Sequence, residues 1–304
     1  MSVSRKTILI ILAFFAVYII WGSTYLLNKI AVTELPPFFV AAIRFTFAGL
    51  LIFLIAKFMK LRLSISKKQF INCTITGFLF LVYGNGVFIW SLKYIDSGLA
   101  ALEASTQPLF VLLLMRLIDG KKMQTKSLIG VALGIVGMYL LVSQKQLITN
   151  EESLLGMSMI LTCVLSWSYA SVFVAKADLP PNYFVTTAYQ MIIAGVFLII
   201  ISLSLGESWV APIMWSSKVQ WSLILLIVFG SVIAFTAFNY LLKVVSTEKA
   251  STSAYVNPIV AIILGWYVLD ETITTQTIVA ASILLTGVFF ITSRKRIKTR
   301  TIGS

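Results

Sequence analysis

The chain has 304 residues, of which 59% are hydrophobic, and its mean hydropathy is +0.97. The apolar fraction of a soluble domain is about one half, which is lower than in this chain. The polar residues that remain are too few to cover the surface of a soluble domain. The net charge of +13 comes from basic residues in short gaps between apolar runs, which is typical of a membrane protein and argues against nucleic-acid binding. Histidine is missing from the sequence, which excludes imidazole metal sites and histidine-based catalysis.

Continuous apolar runs predict an all-α integral membrane protein with ten transmembrane helices. A helix needs about 20 apolar residues to cross the hydrocarbon core, and barrel strands would alternate instead. The predicted spans are Thr7–Lys29, Pro37–Phe58, Gln69–Leu92, Gly98–Leu117, Ser127–Val142, Leu154–Ala175, Tyr183–Leu205, Val219–Leu242, Ala250–Leu269 and Thr275–Ile291. The first run is too long for a signal peptide and lacks its cleavage site, so we expect it to remain as a span.

Lysine and arginine are concentrated in alternate gaps between the spans, beginning with the N-terminal segment and ending with the basic tail, residues 294–304. Positively charged loops stay in the cytoplasm. We therefore expect both termini to be cytoplasmic and the tail to lie at the inner leaflet.

An internal repeat divides the chain. The stretch Lys93–Pro108 recurs as Lys243–Pro258, about 150 residues later. The repeat predicts two units, residues 1–146 and 147–293, each with five spans. Because five is odd, the second unit must be inverted relative to the first. Inverted repeats with a site near the bilayer midplane are typical of secondary transporters.

Short motifs occur in the same order in both halves. In the first half they are Trp21-Gly22-Ser23-Thr24, Leu35-Pro36-Pro37 and Ala48-Gly49, and in the second they are Trp167-Ser168, Leu179-Pro180-Pro181 and Ala194-Gly195. A further motif, Leu269-Asp270-Glu271, occurs near the end of the second half. With these motifs the chain resembles EamA-type members of the drug/metabolite transporter superfamily over nearly its whole length. The resemblance implies a ten-helix exporter of small metabolites, with a path lined by the first four helices of each half. The chain departs from this pattern at Lys121, which stands where the second half has Glu271.

Two charged residues, Arg44 and Glu103, are predicted to lie inside the membrane at about the same depth, where the second half has Gln190 and Ser253. Equal depth and opposite charge suggest an ion pair. Arg44 could instead extend to the outer interface, or face a cavity and meet an anionic group of the substrate or the protein. Glu103 could pin two helices together or exchange a proton during transport.

Other polar and aromatic residues are predicted to line a central cavity. Gln107 and Asn257 lie near the midplane, and each precedes a proline that interrupts its helix. Amides also join helices, and tryptophans also form interfacial belts, so these roles are alternatives. The predicted substrate-binding and translocation residues are Arg44, Glu103, Gln107, Asn257, Ser253, Trp21, Thr24, Asn28, Asn85, Trp90, Trp167 and Tyr255.

The sequence contains no phosphate-binding loop or nucleophile elbow, so we expect neither an enzyme nor a cofactor. It predicts a secondary transporter that exports a small organic metabolite (an amino acid or related compound, or a drug-like solute) by alternating access, with proton coupling. A passive channel and a membrane-embedded enzyme acting on lipid-linked substrates are the alternatives. We expect a multi-pass protein of a bacterial cytoplasmic membrane, surrounded by lipid and either monomeric or homodimeric. Gly130 and Gly134 form a small-residue surface that could serve a dimer contact.

Overall fold

The computed structural model describes residues 5–120, 125–144 and 151–292, and the regular structure in these ranges is helical. The long helices are α1 (Lys6–Val32), α2 (Pro37–Phe58), α3 (Lys67–Ser91), α4 (Ser97–Ile118), α5 (Thr125–Val142), α6 (Glu151–Val174), α7 (Tyr183–Ser204), α8 (Ser217–Val244), α9 (Ser251–Leu269) and α10 (Thr275–Thr292). Eight of these helices are long and apolar enough to cross a membrane, by length and composition. The other two, α5 and α10, are shorter apolar helices. Each predicted span corresponds to one of these helices. The tail 294–304, Lys121 and the boundary between the predicted units lie outside the described residues.

Local sequence sets the helix ends. Ser66 Oγ accepts a hydrogen bond from the backbone N–H of Gln69, and Gln69 Oε1 accepts one from the backbone N–H of Ser66, both at 3.1 Å. The two bonds form a capping box at the start of α3. Asn182 caps α7 in a similar way. Both α4 and α9 terminate at a left-handed residue, Gly120 (φ 63°) and Asp270 (φ 54°). Thus the halves share a chain reversal at the same point of the repeat.

The helices around the molecular centre are irregular. Five residues or more adopt π-helical geometry within α1 (Ala16–Ile20), α3 (Phe78–Val87) and α8 (Leu226–Phe235). As the prolines predict, α4 is interrupted before Gln107, and α9 begins with a 3-10 turn and becomes α-helical at Asn257. Segments of this kind disturb the regular hydrogen-bond ladder and are often found at functional sites.

Helices α2 and α7, which hold equivalent places in the two halves, pack closely in an antiparallel pair. A Cβ on Gly49 would lie 2.9 Å from the backbone nitrogen of Ile192, and one on Gly195 would lie 3.1 Å from that of Thr46. Residue numbers on one helix rise as those on the other fall. The Ala-Gly motifs of the sequence therefore allow this close approach.

Helices α5 and α10 form a second antiparallel pair of the same kind. Gly137 lies against Leu284, and Gly287 lies against Gly134 and the carbonyl of Gly130. The small-residue surface predicted on the fifth span is thus used inside the chain.

Contacts between loops define two ends of the bundle. Asn72, near the start of α3, donates to the carbonyl of Asp178 after α6. Glu34, after α1, accepts from the backbone of Ser216 before α8. We call the end at which α1, α3, α7 and α9 begin the first end, and the end at which α2, α4, α6 and α8 begin the second end.

Candidate solute-binding cavity

A cavity of about 110 Å³ lies between the two halves, on a measure in which one water molecule needs roughly 10–15 Å³. Its walls come from α1, α2, α3 and α4 of the first half and from α6, α8 and α9 of the second. The predicted residues on its lining are Trp21, Thr24, Asn28, Arg44, Asn85, Gln107, Trp167, Ser253 and Asn257. Among the described residues, none of the lining belongs to α7, although the family resemblance implies that this helix borders the path.

Three predicted site residues lie elsewhere or are undescribed. Trp90 is 36% exposed and packs its ring against Phe38, at 5.7 Å between centroids, away from the cavity. Glu103 is buried one residue before the cavity wall begins again at Ala104, and its Oε2 atom has no hydrogen-bond partner. The side chain of Tyr255 lies outside what the structure describes.

Arg44 reaches into the centre of the molecule. Its Nε donates to Ser231 Oγ at 2.8 Å, its Nη1 donates to Asn28 Oδ1 at 3.3 Å, and its guanidinium lies 4.9 Å from the centre of the Phe45 ring. Ser231 lies roughly 20 Å along α8 from the second end, so the side chain does not extend to the interface.

The expected ion pair between Arg44 and Glu103 is not formed, and that prediction was wrong. Sequence position sets the depth of a residue, but not the direction in which its side chain leaves the helix. Ser231, the partner that sequence reasoning missed, follows Gly230, and this glycine inside an apolar span was the available signal.

Carbonyl groups of the π-helical segments accept hydrogen bonds from the opposite half. Trp21 Nε1 donates to the carbonyl of Gly230 in α8 at 3.0 Å. Ser166 Oγ in α6 donates to the carbonyl of Leu79 in α3 at 2.8 Å. These bonds join the two halves beside the cavity, at segments where π geometry alters the regular hydrogen-bond ladder.

Asn257 follows the same rule in α1. With its amide oriented to satisfy its surroundings, the nitrogen donates to the carbonyls of Tyr18 at 2.7 Å and Val17 at 3.0 Å, both in a π-helical segment. Asn257 is therefore both a helix-to-helix contact and part of the cavity wall, so the two alternatives for this amide coincide.

An aromatic cluster borders the cavity on the side of the first end. It consists of Trp21, Phe80, Trp167, Phe235 and Phe238, drawn from both halves. The Trp21 and Trp167 rings meet edge to face at 5.6 Å, and Phe80 lies 4.8 Å from Trp167. The two tryptophans therefore lie at the centre of the bundle and not in an interfacial belt.

A buried polar network lies nearer the first end. Gln190 Nε2 donates to Thr76 Oγ1 at 2.8 Å, and Asn239 Nδ2 donates to Thr187 Oγ1 and Gln190 Oε1, both at 2.9 Å. All four side chains are buried. A fully bonded network of this kind rigidifies the packing around it.

At the second end, carboxylates of the second half cap helices of the first half. Glu271 accepts from the Ser97 backbone and hydroxyl, both at 2.7 Å, and from the Gly98 backbone at 3.0 Å. Glu207 accepts from two backbone N–H groups in the first turn of α2, the nearer at 2.7 Å. Negative charge is favourable at a helix N-terminus, so these residues join the halves electrostatically.

A lysine lies beside the Glu271 cap. Lys29 Nζ donates to the carbonyls of Leu92 and Ile95, each at 2.7 Å. Burial raises the pKa of Asp96, the charge of Glu271 raises this pKa further, and Lys29 opposes both effects. The second end thus carries a coupled group of charges.

These features define a helical membrane protein with a polar cavity between two like halves. The EamA-like transporter family matches residues 8–143 and 154–293, and the chain belongs to that family. It is 36% identical over 286 residues to the uncharacterized inner membrane transporter YedA of Escherichia coli (strain K12). This alignment covers 93% of the chain and 90% of the relative. It is 24% identical over 291 residues to the uncharacterized transporter YoaV of Bacillus subtilis (strain 168), covering 95% and 99%. A solved crystal structure of a protein shares the fold, with a TM-score of 0.68 and 18% identity over 94% of this chain and 96% of that chain.

Proposed function

We propose that the chain is a secondary transporter that exports a small organic metabolite across a bacterial cytoplasmic membrane by alternating access, with proton coupling. It does so as ten spans in two inverted five-helix repeats, residues 1–146 and 147–293. Both termini and the first end lie in the cytoplasm. The antiparallel pairing of α2 with α7 and of α5 with α10 supports this arrangement, as does the concentration of basic residues at the first end.

The observation that carries the proposal is the cavity between the halves. It holds polar groups at mid-membrane depth, where an unused polar residue is costly. The aromatic cluster and the Gln190 network close it toward the first end. Rocking of one half against the other would expose the cavity to the two ends in turn.

Glu103 is the group to which we assign the proton. It is a buried carboxyl on the segment of α4 that precedes the interruption at Gln107, and one of its oxygens lacks a hydrogen-bond partner. Glu103→Gln should leave the fold intact and remove the dependence of export on the pH gradient. Export with unchanged pH dependence would contradict this role.

Counterflow tests the function. Solutes that accumulate in the medium of overexpressing cells identify a substrate, and purified protein in liposomes is then given the labelled solute against a gradient of the unlabelled one. A carrier produces a transient overshoot of label. A channel dissipates the gradient without overshoot, and a membrane-embedded enzyme gives no flux.

A further inference from the structure

In the part of the chain that the structure describes, the charge of Arg44 has no carboxylate partner. Of the 11 acidic residues in the sequence, Glu103 alone lies well inside a predicted span. Arg44 donates to two neutral oxygens, those of Ser231 and Asn28, and within the described residues no acid forms an ion pair with it. A guanidinium stays protonated in proteins. The cavity wall therefore carries a fixed positive charge.

The guanidinium is held in place with part of its donor fork unused. Nε and Nη1 are bonded on two sides, and the Phe45 ring packs against the group. Nη2 lies beside Gly230, where a Cβ would come within 3.2 Å of it. Both Arg44 and Gly230 line the cavity, so a glycine at this point leaves the free edge of the fork room to meet a solute.

We infer that the transported solute carries an oxyanion, a carboxylate being the simplest, which binds the free edge of the Arg44 guanidinium. This inference rests on the proposed function and narrows its substrate class to organic acids and zwitterions. Guanidinium and carboxylate groups match as planar, paired donors and acceptors. A bound oxyanion would neutralise a charge that is otherwise costly at this depth, whereas a purely cationic solute would be repelled.

The experiment compares the medium of cells overexpressing the wild-type chain, Arg44→Gln, Arg44→Lys and Asn239→Ala with that of vector-control cells, by untargeted mass spectrometry. Solutes enriched by the wild-type chain should carry a carboxylate, sulfonate or phosphate group. Arg44→Gln should reduce their export by at least about tenfold, as expected for the loss of charged hydrogen bonds. Arg44→Lys should retain part of it. Asn239→Ala is the matched control: it removes a buried polar side chain that does not line the cavity and should keep the same class of solutes.

Protein amounts in the membrane and monodisperse elution in detergent separate loss of function from loss of fold. If Arg44→Gln fails to fold, the inference is tested on the wild-type protein in liposomes. Carboxylate analogues of the identified solute should inhibit its uptake, and the corresponding amides should not. Enriched solutes without an anionic group, unchanged export by a folded Arg44→Gln, or inhibition by amides would overturn the inference. No enrichment over the vector control would instead remove the proposed export function itself.

Discussion

Arg44 and Gln190 hold the same place in the two repeats but have opposite surroundings. Each is the eighth residue of a 22-residue helix, α2 or α7. Arg44 lines the cavity with part of its donor fork free, whereas Gln190 is sealed in a network with Thr76 and Asn239. The two copies of this helix therefore differ: one presents a charge to the cavity, and the other stabilises the packing at the first end.

The largest expected effect on stability comes from crowding the packed region around the Gln190 network. In Gly77→Ala, the new Cβ would lie 2.8 Å from the backbone oxygen of Gln190, so α3 and α7 must move apart. We expect the free energy of unfolding to fall by about 1–3 kcal/mol, measured as a lower Tm in detergent.

Gly230→Ala is the matched control for this variant. Its Cβ would meet the side chains of Thr24 at 2.8 Å and Arg44 at 3.2 Å, and side chains can shift where a backbone cannot. The Tm should therefore fall less than in Gly77→Ala, while export falls more. Equal losses of Tm would contradict the contrast between the two sides.

Removing one amide side chain tests the same contrast between the Gln190 network and the cavity wall with a smaller change. Asn239→Ala deletes two buried hydrogen bonds and leaves Gln190 Oε1 without its donor, which should lower the free energy of unfolding by about 2 kcal/mol. The range of exported solutes should stay the same. Asn85→Ala, on the cavity wall with one bond to the carbonyl of Phe80 at 3.2 Å, should do the reverse. Thermal unfolding and export profiles of both variants check this, and a changed profile for Asn239→Ala would count against it.

At the second end Glu271 caps α4, and the residue that matches Glu271 in the first half of the sequence is Lys121. Glu271→Gln keeps the shape of the cap and removes its charge, so we expect a loss of about 1 kcal/mol that shrinks as salt is added. Glu207→Gln, at the N-terminus of α2, should behave alike. Unfolding in low and high salt measures both losses, and a loss that does not depend on salt would show that the charge is not what stabilises the cap.

The smallest effect concerns Asp96. Since burial and Glu271 raise the pKa of Asp96 above its ordinary value, the folded protein holds this proton more tightly than the unfolded chain. The resulting stability is present at low pH and is lost as the pH rises from about 4 through the raised pKa. Asp96→Asn should lack this part of the pH dependence of Tm. Identical pH profiles for the two proteins would show that Asp96 is not perturbed.

The sequence was sufficient to predict where helices begin, end and are interrupted along the chain. Continuous apolar runs located the eight helices that are long and apolar enough to cross a membrane, with α2 reproduced from Pro37 to Phe58, because crossing a bilayer requires length and hydrophobicity. The prolines after Gln107 and Asn257 likewise marked the interruptions of α4 and α9.

It failed where neighbours around the helix axis matter. Arg44 bonds to Ser231 and not to Glu103, Trp90 packs away from the cavity, and α7, which the family resemblance places along the path, does not border it. The π-helical segments also went unseen, although those of α3 and α8 contain glycines inside apolar spans, Gly84, Gly86 and Gly230. One sequence gives depth along each helix but not the direction that each side chain faces.

Protection of Cys163 tests most directly the claim that the cavity is the solute site. This thiol lines the cavity, and the only other cysteine, Cys73, can be replaced by alanine. The measurement is the rate at which N-ethylmaleimide modifies Cys163 as the exported solute is added. We predict that the solute slows modification, with a half-maximal concentration close to its KM for transport, and that Arg44→Gln abolishes the protection. An unchanged rate at saturating solute would contradict the account.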